Sequence, residues 1–288
     1  MFKYFRVSDD SLDALSKRTV YASHFERFND PFECWCIRRE GAPQFSLEDS
    51  RFMAASRAFG FPEGTPQEHF EMLIEALDGS EPRIQAEIDA ARIACFSSRP
   101  DNLLMWSHYA DGLRGFCLEF DERAFSFERS PWELVNVAYR EEPPIFDSFL
   151  WAVAWDQVEY NATVLGESRA TGKDDGYAKA YERALQKANV LLRDLYINMF
   201  ATKPKAWEYE EEVRLIVGAG PDVPTHIPLA YPADGVQSII IGHRANEEHI
   251  QQIKAAAKIA GIEAPVRFAR RDEGRYQMRF EEVSCGSR

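Results

Sequence analysis

The sequence predicts an α+β fold in which a central mixed or antiparallel sheet carries a helical insertion. Three observations lead there. Short apolar runs of buried-strand type recur far apart, at 93–97, 213–217 and 237–242. Helical periodicity is concentrated in 47–92 and 144–202 instead of alternating with single strands, as a parallel doubly wound sheet would require. The chain then closes on 266–269 and 276–281, two β-prone segments around Asp272-Glu273-Gly274, the composition of a hairpin turn.

The remaining elements follow in order. Residues 2–7 read as an opening strand, and Ser8 to Ser11 supply N-caps for a short helix over 12–17. Residues 19–22 are β-prone. The helical stretch 47–92 is expected to break at 60–66 and 79–82, where Gly and Pro gather. Asp101-Asn102 caps a helix over 103–110, Gly112 and Gly115 close it, and 115–120 and 135–139 are strands. Two long helices fill 144–202, with a Gly/Asp/Ser-rich link at 166–176. Ile250, Ile253 and Ile259 mark one face of a helix over 247–260. The expected organisation is one domain over 1–288, with the insertion at 144–202 and a strand-helix-hairpin part from 226 onward.

Composition excludes several classes. Hydrophobic residues make up 45% and charged residues 28% of the 288, close to the globular average, which argues against disorder. A net charge of −13 argues against broad electrostatic binding of nucleic acid, although Arg267, Arg270 and Arg271 form a local basic group. Five scattered cysteines, Cys34, Cys36, Cys95, Cys117 and Cys285, suit reduced buried thiols better than a disulfide framework. Neither Cys34-x-Cys36 nor the six histidines have metal-ligand spacing, so no metal is expected. The opening residues do not read as a signal peptide, and no run approaches ~20 apolar residues. The expected compartment is the cytoplasm, with no membrane partner.

Phosphate-loop, dinucleotide-fold, zincin and α/β-hydrolase motifs are all absent. Three local clusters remain as carriers of chemistry. In the first, Phe28-Asn29-Asp30-Pro31-Phe32-Glu33, Asn-Asp-Pro makes a turn, and Asp30 and Glu33 are caps, ion-pair partners or site residues. The second, 95–120, joins Ser97 and Ser98 to a short aromatic helix with Trp106, His108 and Tyr109. The third runs from Lys203 through Trp207 to Ile216. Period-2 alternation there places Glu210, Glu212 and Arg214 on one face of a strand. Those carboxylates are either solvated acids at a strand start or a pair in a cleft with perturbed pKa values.

Taken in order, FKYFR, FNDPFE, CFSS, LMWSHYADGLRGFCLEFD and KPKAWEYEEEVRLI resemble the bacterial family catalogued as domain of unknown function 2971. That resemblance implies no settled activity. The order of residues is also similar to that of ADP-ribosyltransferases, which cleave NAD between an early Arg or His, a middle Ser or Tyr and a late Glu. This second likeness implies an NAD-consuming enzyme of the toxin or phage-defence type, with NAD as co-substrate. It would place Arg6 on the diphosphate, Ser97 and Ser98 at the nicotinamide side, and Tyr109, with Tyr4 nearby, against the ring. Glu212 would stabilise the ribosyl cation, and Glu210 would orient an acceptor that the sequence does not identify. Two other classes compete: a non-enzymatic partner-binding or regulatory module, and a metal-dependent hydrolase or nuclease built on Asp30, Glu33, Glu210 and Glu212.

Overall fold

A computed structural model describes residues 1–59, 65–77, 80–125, 133–172, 176–218 and 224–282. In chain order it contains β1 (Phe2–Phe5), α1 (Asp9–Ser16), β2 (Thr19–Ser23), β3 (Ile37–Arg39), α2 (Ser50–Phe59), α3 (Pro66–Leu77), α4 (Ser80–Ala90) and β4 (Arg92–Ser97). Then come α5 (Leu103–Tyr109), β5 (Phe116–Phe120), β6 (Glu133–Asn136), β7 (Ala138–Arg140), β8 (Ile145–Asp147), α6 (Ser148–Thr171) and α7 (Ala178–Phe200). The chain ends with β9 (Thr202–Pro204), β10 (Glu212–Val217), β11 (His226–Ala230), β12 (Val236–Gly242), α8 (Glu247–Ile259), β13 (Val266–Arg271) and β14 (Met278–Glu282).

The chain divides into two compact units. Unit 1 comprises Met1–Glu33, Ala90–Tyr139 and Lys203–Arg288, and unit 2 comprises Cys34–Asp89 and Arg140–Thr202. The helices over 144–202 therefore share a unit with the earlier helical stretch.

Unit 1 is built on one large sheet of order β11-β2-β4-β1-β5-β12-β13-β14, with β10 pairing both β4 and β6. Its pairs are antiparallel except β12 with β13, which α8 joins by a crossover, so the α+β class and the mixed sheet are observed. Strand alternation splits the core in two. Phe116, Leu118 and Phe120 of β5 pack with Ile239 and Ile241 of β12 and with Leu15 and Ile253 from α1 and α8. Cys117 and Ile240 point the other way, toward Tyr4, Met105 and Trp106 beneath α5. Gly115 lets β1 and β5 close, because a Cβ there would stand 2.0 Å from the Phe5 carbonyl oxygen.

One departure from regular pairing positions the site. Ser97 at the end of β4 faces Phe2 of β1 on one edge and Glu212 of β10 on the other. Ile93 at the start of β4 faces Ser23 of β2 on that same first edge and Ile216 of β10 on the other. β1 and β2 thus each hold one end of a single β4 edge and part over its middle.

In unit 2, α2, α3 and α6 enclose Phe52, Ala55, Leu73, Phe149 and Val153. α6 and α7 form a helical hairpin, and β3 pairs in parallel with β8. The first turns of α6 are apolar on nearly every side, and Trp151 stacks on Trp155 at 5.2 Å.

Several expected boundaries moved. α6 runs past Gly166 to Thr171, because a single exposed glycine costs only about 1 kcal/mol in a helix interior. The expected strand at 135–139 is two strands, β6 and β7. β10 begins at Glu212, and Glu210 lies in a short 3-10 helix, Lys205–Glu210, that ends at Glu211 in left-handed backbone (φ 41). Cys285 lies outside the described residues, as do residues 60–64 of the expected break at 60–66 and residue 79 of that at 79–82.

Candidate functional site

The gap between β1 and β2 opens a cavity of about 240 Å³ in unit 1. Its walls include Phe2, Lys3 and Tyr4 from β1, Tyr21 and Ser23 from β2, and Ile93, Cys95, Phe96 and Ser97 from β4. The loop after β2 adds Phe28, Asn29, Asp30 and Glu33, α5 adds Met105 and Tyr109, and the late segment adds Lys203, Trp207, Glu210 and Glu212. The three sequence clusters therefore converge on one hollow.

The parted edge explains Lys3. The Cys95 carbonyl, lacking a strand partner there, accepts a hydrogen bond from Lys3 Nζ at 2.8 Å, and the ammonium lies 5.2 Å from the Phe96 ring centre. Burial pulls the Lys3 pKa below the ordinary lysine value, against the opposing charges of Cys95 and Glu212.

Beside it lies a buried ion network. Lys203 Nζ donates to Glu210 Oε2 at 2.7 Å and to Glu212 Oε2 at 3.1 Å. Arg214 donates to Glu212 through Nε (2.8 Å) and Nη2 (3.2 Å), and its Nη1 stands 2.5 Å from Glu33 Oε1. Arg214 is fully buried, and Glu33, Glu210 and Glu212 are each exposed by less than a tenth. Burial alone would raise the Glu212 carboxyl, but Arg214 and Lys203 outweigh it and hold the pKa near 2. Burial also pulls on Lys203, yet Glu212 and Glu210 keep it above the usual lysine value. At Glu33 burial prevails, lifting the carboxyl above its ordinary range despite Arg214. The Cys95 thiol is pushed up by burial and then by Glu212.

Aromatic and loop groups complete the walls. Tyr109 Oη donates to Glu210 Oε1 at 2.6 Å; burial and that bond raise its pKa. Lys203 also stands 4.8 Å from the Trp207 ring centre. Asp30 turns its loop by accepting the Phe32 N–H at 2.9 Å through Oδ1. Its Oδ2 is closed from solvent and accepts no hydrogen bond from the described residues.

The expected residues divide accordingly. Glu210, Glu212, Ser97, Tyr109, Tyr4, Asn29, Asp30, Glu33 and Trp207 line the cavity. Arg6 does not: β1 ends at Phe5, and Arg6 is exposed beyond it, so the cation that β1 gives the site is Lys3. Ser98 is exposed and bonds Glu211, while Ser97, fully buried, donates to the Glu210 carbonyl at 2.8 Å and so fastens a wall. Tyr4 Oη is spent on the Arg99 carbonyl at 2.6 Å, with its ring edge-on to Trp106. Trp106 is core, bonded to the Pro100 carbonyl, whereas His108, Pro31 and Phe32 are exposed. Arg214 stands behind the carboxylates. Sequence reasoning missed Lys3 and Tyr139, whose hydroxyl accepts the Glu212 N–H at 2.8 Å. The one sequence signal for Lys3 is alternation, which puts it with Phe5 and Val7 on the strand face opposite Tyr4 and Arg6.

Among the described residues no group of three or more His, Cys, Asp or Glu is placed to hold a metal ion. No described helix is long and apolar enough to cross a membrane. Arg267 stands near Glu119 and Glu282, and Arg270 pairs with Glu281, so acids accompany this basic group.

Residues 105–215 match the family described as Protein of unknown function (DUF2971), the family that the sequence motifs resemble. The matched stretch holds Tyr109, Lys203, Glu210, Glu212 and Arg214; the β1 residues and the Phe28–Glu33 loop precede it. No curated protein and no solved structure matches the chain.

Proposed function

We propose that the DUF2971 stretch and the amino-terminal strands together form the substrate site of an NAD-dependent, ADP-ribosyltransferase-like enzyme. The observation that supports this most is lateral order: Phe2, Ser97 and Glu212 sit side by side on β1, β4 and β10. A cation, a hydroxyl-bearing segment and a late carboxylate thereby face one hollow. The cavity is slightly smaller than the ~300–1,000 Å³ of typical small-molecule sites, which suits the nicotinamide-ribosyl end of the dinucleotide.

In this proposal Lys3 attracts the phosphate side, and Tyr109 and Trp207 offer aromatic faces to the nicotinamide ring. Glu212, ionised throughout the physiological range, places a fixed negative charge beside the ribosyl cation that develops as nicotinamide leaves. Preorganised charge of that kind contributes a few kcal/mol to the transition state. Glu210, held by Tyr109 and Lys203, orients the acceptor.

A non-catalytic binding module is the second reading. In its favour, both oxygens of Glu212 are already held by cations. One experiment separates the two: thermal unfolding with and without NAD, alongside chromatographic detection of free nicotinamide. The enzyme reading expects stabilisation by NAD, nicotinamide release by the parent, and about 100-fold less release by Glu212→Gln. Stabilisation without release selects the binding module. Neither stabilisation nor release overturns the NAD reading. Glu210→Gln, which leaves the Arg214–Glu212 pair in place, serves if Glu212→Gln does not fold.

A further inference from the structure

The chain leaves unit 1 after Glu33 and after Tyr139, and re-enters it at Ala90 and at Lys203. Three of these four border residues meet at Glu212. Glu33 is 2.5 Å from Arg214, which is itself bonded to Glu212. Tyr139 accepts the Glu212 N–H at 2.8 Å. Lys203 donates to Glu212 at 3.1 Å and to Glu210 at 2.7 Å. Ala90, the fourth, carries no polar side chain. Glu33, Lys203 and Glu212 also line the cavity. The ends of three connections are thus tied into the group of side chains that a ligand would touch.

We propose that Glu33, Tyr139 and Lys203 are positioning residues that couple occupancy of the cavity to the three connections of unit 1 that they terminate. A ligand engaging Glu212 or Lys203 tightens the network and orders the backbone at 33–36, 139–142 and 201–204. By linkage, a change that frees those connections weakens ligand binding by the same factor. Burial supports the coupling. In a low-dielectric interior water screens these charges little, so a shift at one member is passed to the others. The proposal rests on the cavity being a ligand site and is independent of NAD cleavage.

The test is hydrogen exchange of the whole chain, read by mass spectrometry. Glu212→Gln should speed exchange in peptides covering the three connections about tenfold, equivalent to about 1.4 kcal/mol of local opening, while the 88–91 connection stays at the parent rate. Ile253→Ala, a core deletion in α8, which contributes no residue to the network, is the control for general loosening and should leave all four connections alike. Equal acceleration at 88–91, or the same pattern from Ile253→Ala, overturns the proposal, as does no acceleration anywhere. If Glu212→Gln does not fold, Tyr139→Phe, which removes only the hydroxyl acceptor, should accelerate 139–142. With NAD as probe, the same three connections should gain protection, and binding without that protection also overturns the coupling. Absence of NAD binding counts against the proposed function, and the variant arm still decides the coupling.

Discussion

Each unit sets an arginine against a buried carboxylate, and the two arrangements differ in what surrounds them. In unit 2, Arg51 grips Asp147 through two bonds of 2.5 and 2.9 Å. Asp147 also caps α6 by accepting the Leu150 N–H, and Arg51 also reaches the Gly41 carbonyl. Folding explains every one of those contacts: a helix start, a loop closure and one neutralised pair. In unit 1, three carboxylates, Glu33, Glu210 and Glu212, share two cations, Lys203 and Arg214, on the wall of a cavity. Stability does not require so many buried charges, since buried ion pairs are often replaceable by apolar groups without loss. The contrast teaches that a buried ion network becomes suggestive of function when it gathers several charges and opens onto a hollow, where Lys3 also lies.

The sharpest way to break the comparison is to remove one charge from each side. Arg214→Met removes the buried cation that stands 2.5 Å from Glu33 and is doubly bonded to Glu212, and should cost about 3–5 kcal/mol in chemical denaturation. Asp147→Asn keeps the capping oxygen and should cost about 1–3 kcal/mol. Similar losses at both positions would erase the distinction between them.

Acid titration sharpens it further. Glu212 has a folded pKa near 2 against an ordinary 4.5, so the unfolded chain binds more protons between those values. Its contribution to stability is complete above about pH 4.5 and is lost as pH falls toward 2. Glu212→Gln should therefore flatten the acid limb of a stability-against-pH curve in that window. An unchanged slope there would mean that Glu212 is not held ionised by its neighbours.

The sheet was legible because buried strands such as Ile93 to Ser97 and Val213 to Val217 are written mostly in apolar residues, Ser97 and Arg214 being the exceptions. The three clusters stood out by composition, while their convergence on one hollow was a premise that order and composition alone could not supply. The parting of β1 and β2 over β4 was not, because it depends on which residues pair and no local signal encodes register between strands so far apart in sequence. That blind spot accounts for Arg6. Counting residues extended the opening strand to Val7, while pairing with β5 ends it at Phe5 and turns Lys3 toward the hollow. The expected place of Glu210 on the strand failed for a related reason: alternation presumes an extended backbone, and the left-handed Glu211 interrupts it, although Glu210 still lines the cavity.

The Lys3 and Arg6 assignments differ in a measurable way. Lys3→Met should lower the thermal stabilisation given by NAD, whereas Arg6→Met should leave it unchanged. Lys3 has a second signature. Its folded pKa lies below the unfolded value of 10.5, so burial of the charge weakens the folded state at neutral pH, and stability rises as alkali approaches 10.5. Lys3→Met should remove that rise.

The smallest effects separate two adjacent hydroxyls that composition treated as a pair. Ser97→Ala strands the buried Glu210 carbonyl that its hydroxyl now serves, and should cost about 1–3 kcal/mol. Ser98→Ala removes an exposed bond to Glu211, whose carboxylate is also held by Arg99, and should stay within about 0.5 kcal/mol. A further distinction comes from ligand binding. Ser97 holds the segment that presents Glu210 to the cavity, so its loss should also reduce stabilisation by NAD beyond what the lower baseline explains. If the two alanines prove equal in both measurements, the hydroxyl of Ser97 is not what fastens the carboxylate segment to β4.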